Sequence, residues 1–120
     1  VLYGEFTVES GDTMARQAVA LTPCPTALFA ANNFIAIGAL KALRELGVRV
    51  PEDISVVGFD DLPASLVVDP FLTVAAQPAY QMGQCATELL LQRIIAPEAT
   101  PYREVVLPTQ LIVRQSCRAV

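Results

Sequence analysis

Two apolar segments, each followed directly by polar side chains, constrain the fold of this chain more than any other feature. The first, over residues 26–31, leads into Asn32, and the second, over residues 54–59, leads into Asp60. An amphipathic segment with helical periodicity separates them, which predicts a parallel β-α-β unit. Because parallel strands end at the same edge of a sheet, Asn32 and Asp60 are expected to be neighbours. Ligands of open α/β sheets bind beyond this edge, so it is a candidate site for a polar small molecule.

Hydrophobic periodicity predicts the elements around this unit. Apolar side chains recur at helical spacing over residues 34–46, and Gly47 suits the position after a helix end. Pro78 suits the first turn of a second long helix, which Pro97 ends. Both strands of the β-α-β unit lack charges and are expected to be buried. The other predicted elements are a strand over 1–6, a helix over about 11–21 with Ser10 as N-cap, a short strand over 72–76, and one or two strands within 105–113.

The composition is more apolar than a chain of 120 residues needs for its own core. Hydrophobic residues make up 53% of the sequence, and the mean hydropathy is +0.47. Small domains bury a smaller fraction of their surface than large ones, so this excess suggests apolar faces that meet something outside the chain and hence a piece of a larger protein. No apolar run approaches the roughly 20 residues that cross a bilayer, and the start lacks the basic segment of a signal peptide.

Charge and cysteine content narrow the function classes. The net charge is −4, and the eight Lys and Arg residues are scattered, so these residues are not expected to bind nucleic acid. The sequence has no histidine, which removes the commonest general base and the commonest transition-metal ligand. No cofactor and no metal site is predicted. Cys24, Cys85 and Cys117 are odd in number and widely spaced, which indicates reduced thiols in a cytoplasmic protein.

The polar residues at the strand ends have more than one interpretation. Asp60 and Asp61 would suit a metal, an acid/base pair or the hydroxyls of a ligand, but they would equally solvate the start of a loop, with Asp61 capping a turn. Asn32 and Asn33 precede a helix, where one can act as N-cap while the other faces the cleft. Phe6 would stack against a sugar or a planar base, or belong to the core.

Several motifs carry a resemblance to a known family. The longer ones are GEFTVESG over 4–11, PTALFAANN over 25–33 and IGALKALRELGVRVPEDISVVGFDD over 37–61, and the shorter ones lie at 72–74, 77–78, 82–83 and 114–116. Taken together and in this order, they resemble the LacI/GalR family of bacterial transcription repressors. The resemblance covers nearly the whole chain.

This resemblance implies an α/β fold with a parallel sheet and flanking helices, as part of a type I periplasmic-binding-protein-like effector domain. In that family two α/β subdomains enclose a ligand cleft. The resemblance places contacts with effector hydroxyls on Asp60, a second polar contact on Asn32, and an apolar wall on Phe6. The family usually has an aspartate where this chain has Asn33, so a charged role at that position is in doubt.

The resemblance also implies a division of the chain. Residues 1–76 would belong to the C-terminal subdomain, residues 77–107 would form a helix and crossover of the N-terminal subdomain, and residues 108–120 would return to the C-terminal one. The helix-turn-helix DNA-binding domain would lie outside this chain. The helix within 77–107 would then lack the sheet that it normally covers, and its apolar side would have no partner.

Family dimers form through surfaces that map here onto Ile37, Leu40, Leu66 and Val68, so the resemblance implies a homodimer. The leading hypothesis is a fragment of an effector-sensing, non-enzymatic domain of a cytoplasmic repressor. Its effector would be a small molecule, most often a sugar, and operator DNA would be bound only through the missing N-terminal domain. An alternative is a periplasmic sugar-binding protein of a transport system. An enzyme that uses Asp60 and Asp61 with a divalent cation is disfavoured, because no phosphate loop, histidine or third carboxylate accompanies them.

Overall fold

The computed structural model describes residues 1–62, 71–96 and 102–119, which form three helices and four strands. In chain order these elements are α1 (Val8–Val19), β1 (Ala27–Ala30), α2 (Asn33–Glu45), β2 (Ser55–Phe59), β3 (Thr73–Ala76), α3 (Ala79–Ile95) and β4 (Gln110–Ile112). The order of types matches the predicted alternation of strands and helices after residue 26.

The strands form one sheet in the order β1-β2-β3-β4. β1 and β2 are parallel and in register, with Ala30 opposite Gly58. β2 and β3 are also parallel, with Phe59 opposite Ala75. The predicted parallel β-α-β unit is therefore confirmed, and the segment over 72–76 supplies its third parallel strand.

The buried core lies between α2 and the sheet, because the small and aliphatic side chains on one side of α2 pack against β1 and β2. Burial along β2 alternates with the period of a strand, with Val56 and Gly58 buried and their neighbours half-buried. The residues of this core are Ala30, Ala36, Leu43, Ile54, Val56, Leu72 and Val74.

The expectation that both strands of the β-α-β unit are buried was wrong for β1. In β1 only Ala30 is buried, and the Phe29 side chain is 66% exposed. The reason is that, among the described elements, α2 covers the face to which Ala30 contributes, while alternate side chains such as Phe29 point to the other face.

The start of the chain also differs from the prediction. Residues 1–6 form no strand, and α1 begins at Val8 with Thr7 as N-cap instead of Ser10. The Ser10 amide donates a hydrogen bond to Thr7 Oγ1 at 3.1 Å, so Ser10 lies inside the first turn of the helix. Thr and Ser are both good N-caps, and the sequence pattern alone does not rank two that stand three residues apart.

Two glycines allow the backbones of helices α1 and α2 to come into direct contact. A Cβ atom added at Gly38 would collide with the carbonyl oxygen of Val8, and one added at Gly11 would collide with that of Ile35. Both glycines are buried. Their role here is close approach of the two helices, whereas Gly47, at φ +71°, ends α2 as predicted.

The chain divides into two compact units, one formed by Val1–Ala76 with Leu111–Val120 and the other by Gln77–Gln110. Within the second unit, α3 has no buried residue over the described range, and Tyr80, Ile94 and Ile95 are strongly exposed. The assignment of residues 1–76, 77–107 and 108–120 to two subdomains of a larger domain stays a prediction.

The glycine at the helix crossing gives a test of this packing. Gly38→Ala is expected to destabilise the protein by about 1–3 kcal/mol, because the added methyl group must push apart two backbones. Gly83→Ala in α3 is the matched control, since nothing lies within 4 Å of the added Cβ. It should leave the free energy of unfolding unchanged or raise it by up to about 1 kcal/mol. Urea unfolding followed by circular dichroism measures both, and equal effects of the two substitutions would contradict the close crossing.

Candidate ligand site at the strand ends

The carboxyl ends of β1 and β2 lie side by side, as the parallel register requires. Continuing that register by two residues brings Asn32 opposite Asp60. The next residues are joined directly, because Asn33 Nδ2 donates a hydrogen bond to the backbone oxygen of Asp61 at 3.4 Å. The ends of β1 and β2, which lead into Asn32 and Asp60, therefore lie at one edge of the sheet, while a contact between these two side chains stays a prediction.

Asn32 is the N-cap of α2. Its Oδ1 accepts a hydrogen bond from the Ile35 amide at 2.8 Å, which satisfies one of the free N–H groups at the helix start. The side chain's acceptor is therefore engaged in the cap, and its Nδ2 group is the part left to donate to a ligand.

Asp60 has the left-handed backbone conformation, with φ +69°. Residues other than glycine adopt this region rarely, and aspartate and asparagine are among those that tolerate it. The Asp60 amide donates to the carbonyl oxygen of Ala75 at 3.1 Å, which anchors the turn to β3. Asp60 is half-buried as a residue. Its carboxylate has no hydrogen-bond or ion-pair partner among the described residues, so it is free to accept hydrogen bonds from a ligand.

Asp61, in contrast, is fully engaged. Its two carboxylate oxygens accept hydrogen bonds from the guanidinium of Arg114, both at 2.7 Å, and its Oδ1 also accepts from the Leu62 amide at 2.8 Å. The Arg114 side chain is 16% exposed and that of Asp61 is 32% exposed. The hydrogen bonds from Arg114 lower the pKa of Asp61, against the opposing effect of its partial burial. The doublet thus contains one structural acid and one available acid.

Phe6 directly precedes the Thr7 cap of α1, and it is 68% exposed. The alternative that Phe6 belongs to the core was therefore wrong. Its role against a ligand stays a prediction.

An apolar cavity of about 450 Å³ opens beside β1, between α1 and α2. Met14, Leu28 and Ile35 are among its lining residues, all of which are apolar. None of the three predicted ligand residues lines it. A hydroxyl-bearing ligand needs polar partners, so the strand-end cluster is the better candidate site.

Comparison with known proteins decides the family. A sequence profile described as the periplasmic binding protein-like domain matches residues 3–117. The chain belongs to this family. Among its relatives, the HTH-type transcriptional repressor PurR of Haemophilus influenzae is 37% identical over 122 residues, which cover 100% of this chain and 36% of PurR.

Solved structures of LacI-family regulators share the fold of this periplasmic binding protein-like domain. The complex of the transcriptional regulator CelR with cellobiose is 41% identical, with a TM-score of 0.83 over 95% of this chain and 35% of CelR. A LacI family regulator from Enterococcus faecium with bound ribose is 33% identical, with a TM-score of 0.82 over 94% of this chain and 41% of that one. These findings confirm the LacI/GalR resemblance and the fold class. The chain spans between about a third and two fifths of the length of these relatives.

Two features are absent from the described residues of this periplasmic binding protein-like domain. No helix there is long and apolar enough to span a membrane. Over the same residues, no group of three or more acidic or cysteine side chains is arranged to hold a metal ion.

Of the four residues predicted for the family's dimer surface, the structure describes two. Ile37 and Leu40 both lie on α2 and are half-buried, and Leu40 also packs against the core. Leu66 and Val68 lie outside the described residues. The dimer surface therefore stays a prediction.

Sequence reasoning missed the roles of Arg114 and Ser116, which follow β4. Ser116 is completely buried, and its Oγ donates to the Val56 carbonyl at 2.6 Å and accepts from the Thr73 amide at 2.7 Å. This hydroxyl links β2 to β3. The only signal in the sequence was the isolated positive charge of Arg114 after an apolar strand, at the first position of the RQS motif of the family resemblance.

The ion pair predicts a specific dependence of stability on pH. Because pairing lowers the pKa of Asp61 below 3.8, this acid contributes stability above the unfolded-state value, and the contribution is lost as the pH falls through the folded-state value. Asp61→Asn should therefore be less stable than wild type at pH 7, and the difference should shrink below about pH 4. Urea unfolding at a series of pH values measures this difference.

Asp12 and Asp53 also have pKa values lowered by arginine partners. Both acids are present in wild type and in Asp61→Asn, so their contributions to the pH dependence cancel in the difference between the two proteins. A difference in unfolding free energy that stays constant from neutral to acidic pH would contradict the structural role of the Asp61 carboxylate.

Proposed function

We propose that this chain is part of the effector-binding domain of a bacterial LacI-type transcriptional repressor, and that its effector is a sugar or a similar polyhydroxylated small molecule. The observation that carries the proposal is that the two neighbouring acids, Asp60 and Asp61, differ in their partners. Arg114 neutralises Asp61, while the Asp60 carboxylate remains without a described partner where two parallel strands end together.

The chemistry of the strand-end residues suits hydroxyl groups. A carboxylate accepts hydrogen bonds from two adjacent hydroxyls, and the Nδ2 group of Asn32 donates to a ring or hydroxyl oxygen. Phe6, which is exposed, offers an apolar face for the C–H side of a sugar ring. Hydrogen bonds to a charged group contribute about 1.5–3 kcal/mol each, so Asp60 would supply the largest single polar contribution.

Known relatives support a sugar effector. CelR binds cellobiose in its solved structure, and the Enterococcus faecium regulator binds ribose. All the relatives compared above are transcriptional regulators, which favours a non-enzymatic role in regulation over the alternative of a transport binding protein.

The proposed mechanism is a population shift. An effector that binds one arrangement of the full domain more tightly than another biases the equilibrium between them, and the bias reaches the DNA-binding part of the protein by thermodynamic linkage. Contacts with operator DNA would come from residues outside this chain, because the net charge here is −4 and the cations are scattered. A cytoplasmic location follows from this role.

A homodimer is part of the proposal, with Ile37 and Leu40 of α2 at its surface. Sedimentation velocity of the intact protein tests it. Ile37→Glu should shift a dimer toward monomer because it would bury a charge, whereas Ile37→Val keeps the apolar surface and should remain dimeric. A monomeric wild type at micromolar concentration would contradict the dimer.

Asp60→Asn tests the ligand site directly. Asparagine tolerates the left-handed backbone as aspartate does, so the substitution removes the charge and leaves the turn intact. The affinity for the bound sugar should fall at least ~10-fold, as the loss of one charge-assisted hydrogen bond predicts. Isothermal titration calorimetry of the intact protein measures it, with ribose and cellobiose as the first ligands.

The control for this experiment is Asp53→Asn. Asp53 pairs with Arg49 on the surface, at 2.7 Å, away from the strand ends, and its substitution should leave the affinity unchanged. If Asp60→Asn binds as tightly as wild type, the proposed site is refuted.

A further inference from the structure

We propose that Arg114 is a positioning residue for the ligand site, because it fixes the turn that directs the Asp60 carboxylate. This inference rests on the proposed function of Asp60 as the ligand-binding acid. It adds a residue that does not touch the ligand, that comes from a different part of the chain, and that acts through Asp61.

The first step of the argument is the backbone of Asp60. Aspartate tolerates a backbone at φ +69° better than most residues, but this region is still less favourable than the common ones, so contacts of the neighbouring residues are needed to maintain it. On the side of the preceding strand, the Asp60 amide is held by the carbonyl oxygen of Ala75 at 3.1 Å. On the other side, the hydrogen bonds of Asp61 hold the chain.

The second step is how Asp61 is held. Asn33 binds its backbone oxygen at 3.4 Å, which is a long hydrogen bond. The two bonds from Arg114 to the carboxylate are both 2.7 Å. Arg114 is therefore the main restraint on the residue that follows Asp60, and a free Asp61 would let the turn relax toward the more common backbone regions.

The third step is that Arg114 is itself fixed. Its Nη1 also donates to the Leu72 carbonyl at 2.9 Å, and its backbone amide donates to Thr73 Oγ1 at 3.0 Å. Two residues later, the buried hydroxyl of Ser116 links β2 to β3. The guanidinium thus connects the turn to the beginning of β3, which is part of the sheet that carries the core.

Arginine suits this role better than lysine does. Its planar group donates two parallel hydrogen bonds to one carboxylate and still reaches a carbonyl oxygen, whereas a lysine ammonium acts as a point charge without a preferred plane. The pairing also neutralises the second acid of the doublet. Asp60 therefore meets the ligand without an uncompensated negative charge beside it.

The test compares two arginines with the same kind of partner. Arg114→Lys keeps the charge but loses the paired hydrogen bonds, and it should weaken sugar binding at least about 10-fold, as does the loss of a charge-assisted hydrogen bond. Arg49→Lys is the matched control, since Arg49 makes the same two-bond contact with Asp53 on the surface, at 2.7 and 2.9 Å. It should leave the affinity unchanged. Calorimetry with ribose and with cellobiose, on intact protein well below the lowest unfolding midpoint, measures both.

A second readout separates positioning from general stability. Amide hydrogen exchange at Asp60 should become at least about 10-fold faster in Arg114→Lys, while amides of β1 such as Leu28 keep their wild-type rates, since local opening exposes only the turn. A merely structural role would accelerate exchange throughout the sheet. If Arg114→Lys does not fold, Asp61→Asn removes the same ion pair with a smaller change in shape, and the same results are expected.

The outcomes distinguish this inference from the proposed function. If Asp60→Asn weakens binding while Arg114→Lys and Asp61→Asn do not, the positioning role is overturned and the ligand site stands. If Asp60→Asn has no effect, or neither sugar binds wild type, the proposed sugar site fails. In that case unchanged exchange at Asp60 in Arg114→Lys would also overturn the positioning role, and faster exchange confined to the turn would support it.

Discussion

The parallel pairing of β1 with β2 is the constraint on which the rest of the structure depends. With Ala30 opposite Gly58, the two strands end at the same level, and the amide of Asn33 reaches the backbone of Asp61. The same pairing provides the surface on which α2 buries its small side chains. A shift of one residue in this register would turn the core side chains of β1 outward and separate the strand-end groups.

The two acids at the end of β2 show how neighbouring residues of one type acquire different roles. Asp61 is held in two hydrogen bonds by an arginine, so its charge is used within the fold. Asp60 has the left-handed backbone and an available carboxylate. Asn33 donates a hydrogen bond to the backbone oxygen of Asp61, which an ionised aspartate could not do. The amide thus suits a site that already contains two carboxylates.

Local pattern was sufficient to predict the β-α-β unit, the second long helix and the third strand, because each depends on periodicity within a short window. The N-cap at Thr7 was missed, since two capping residues compete within one turn. Burial of β1 was overestimated because exposure of Phe29 depends on which elements cover the sheet. The ion pair between Asp61 and Arg114 joins residues 53 positions apart, and no local rule pairs them.

A crystal structure of the intact protein with its tightest-binding sugar tests the central claim most directly. The account predicts that the Asp60 carboxylate accepts hydrogen bonds from sugar hydroxyls, that Asn32 Nδ2 lies within hydrogen-bond distance of the same sugar, and that Asp61 remains paired with Arg114. A sugar bound away from the ends of β1 and β2, or one that contacts Asp61 in place of Asp60, would contradict it.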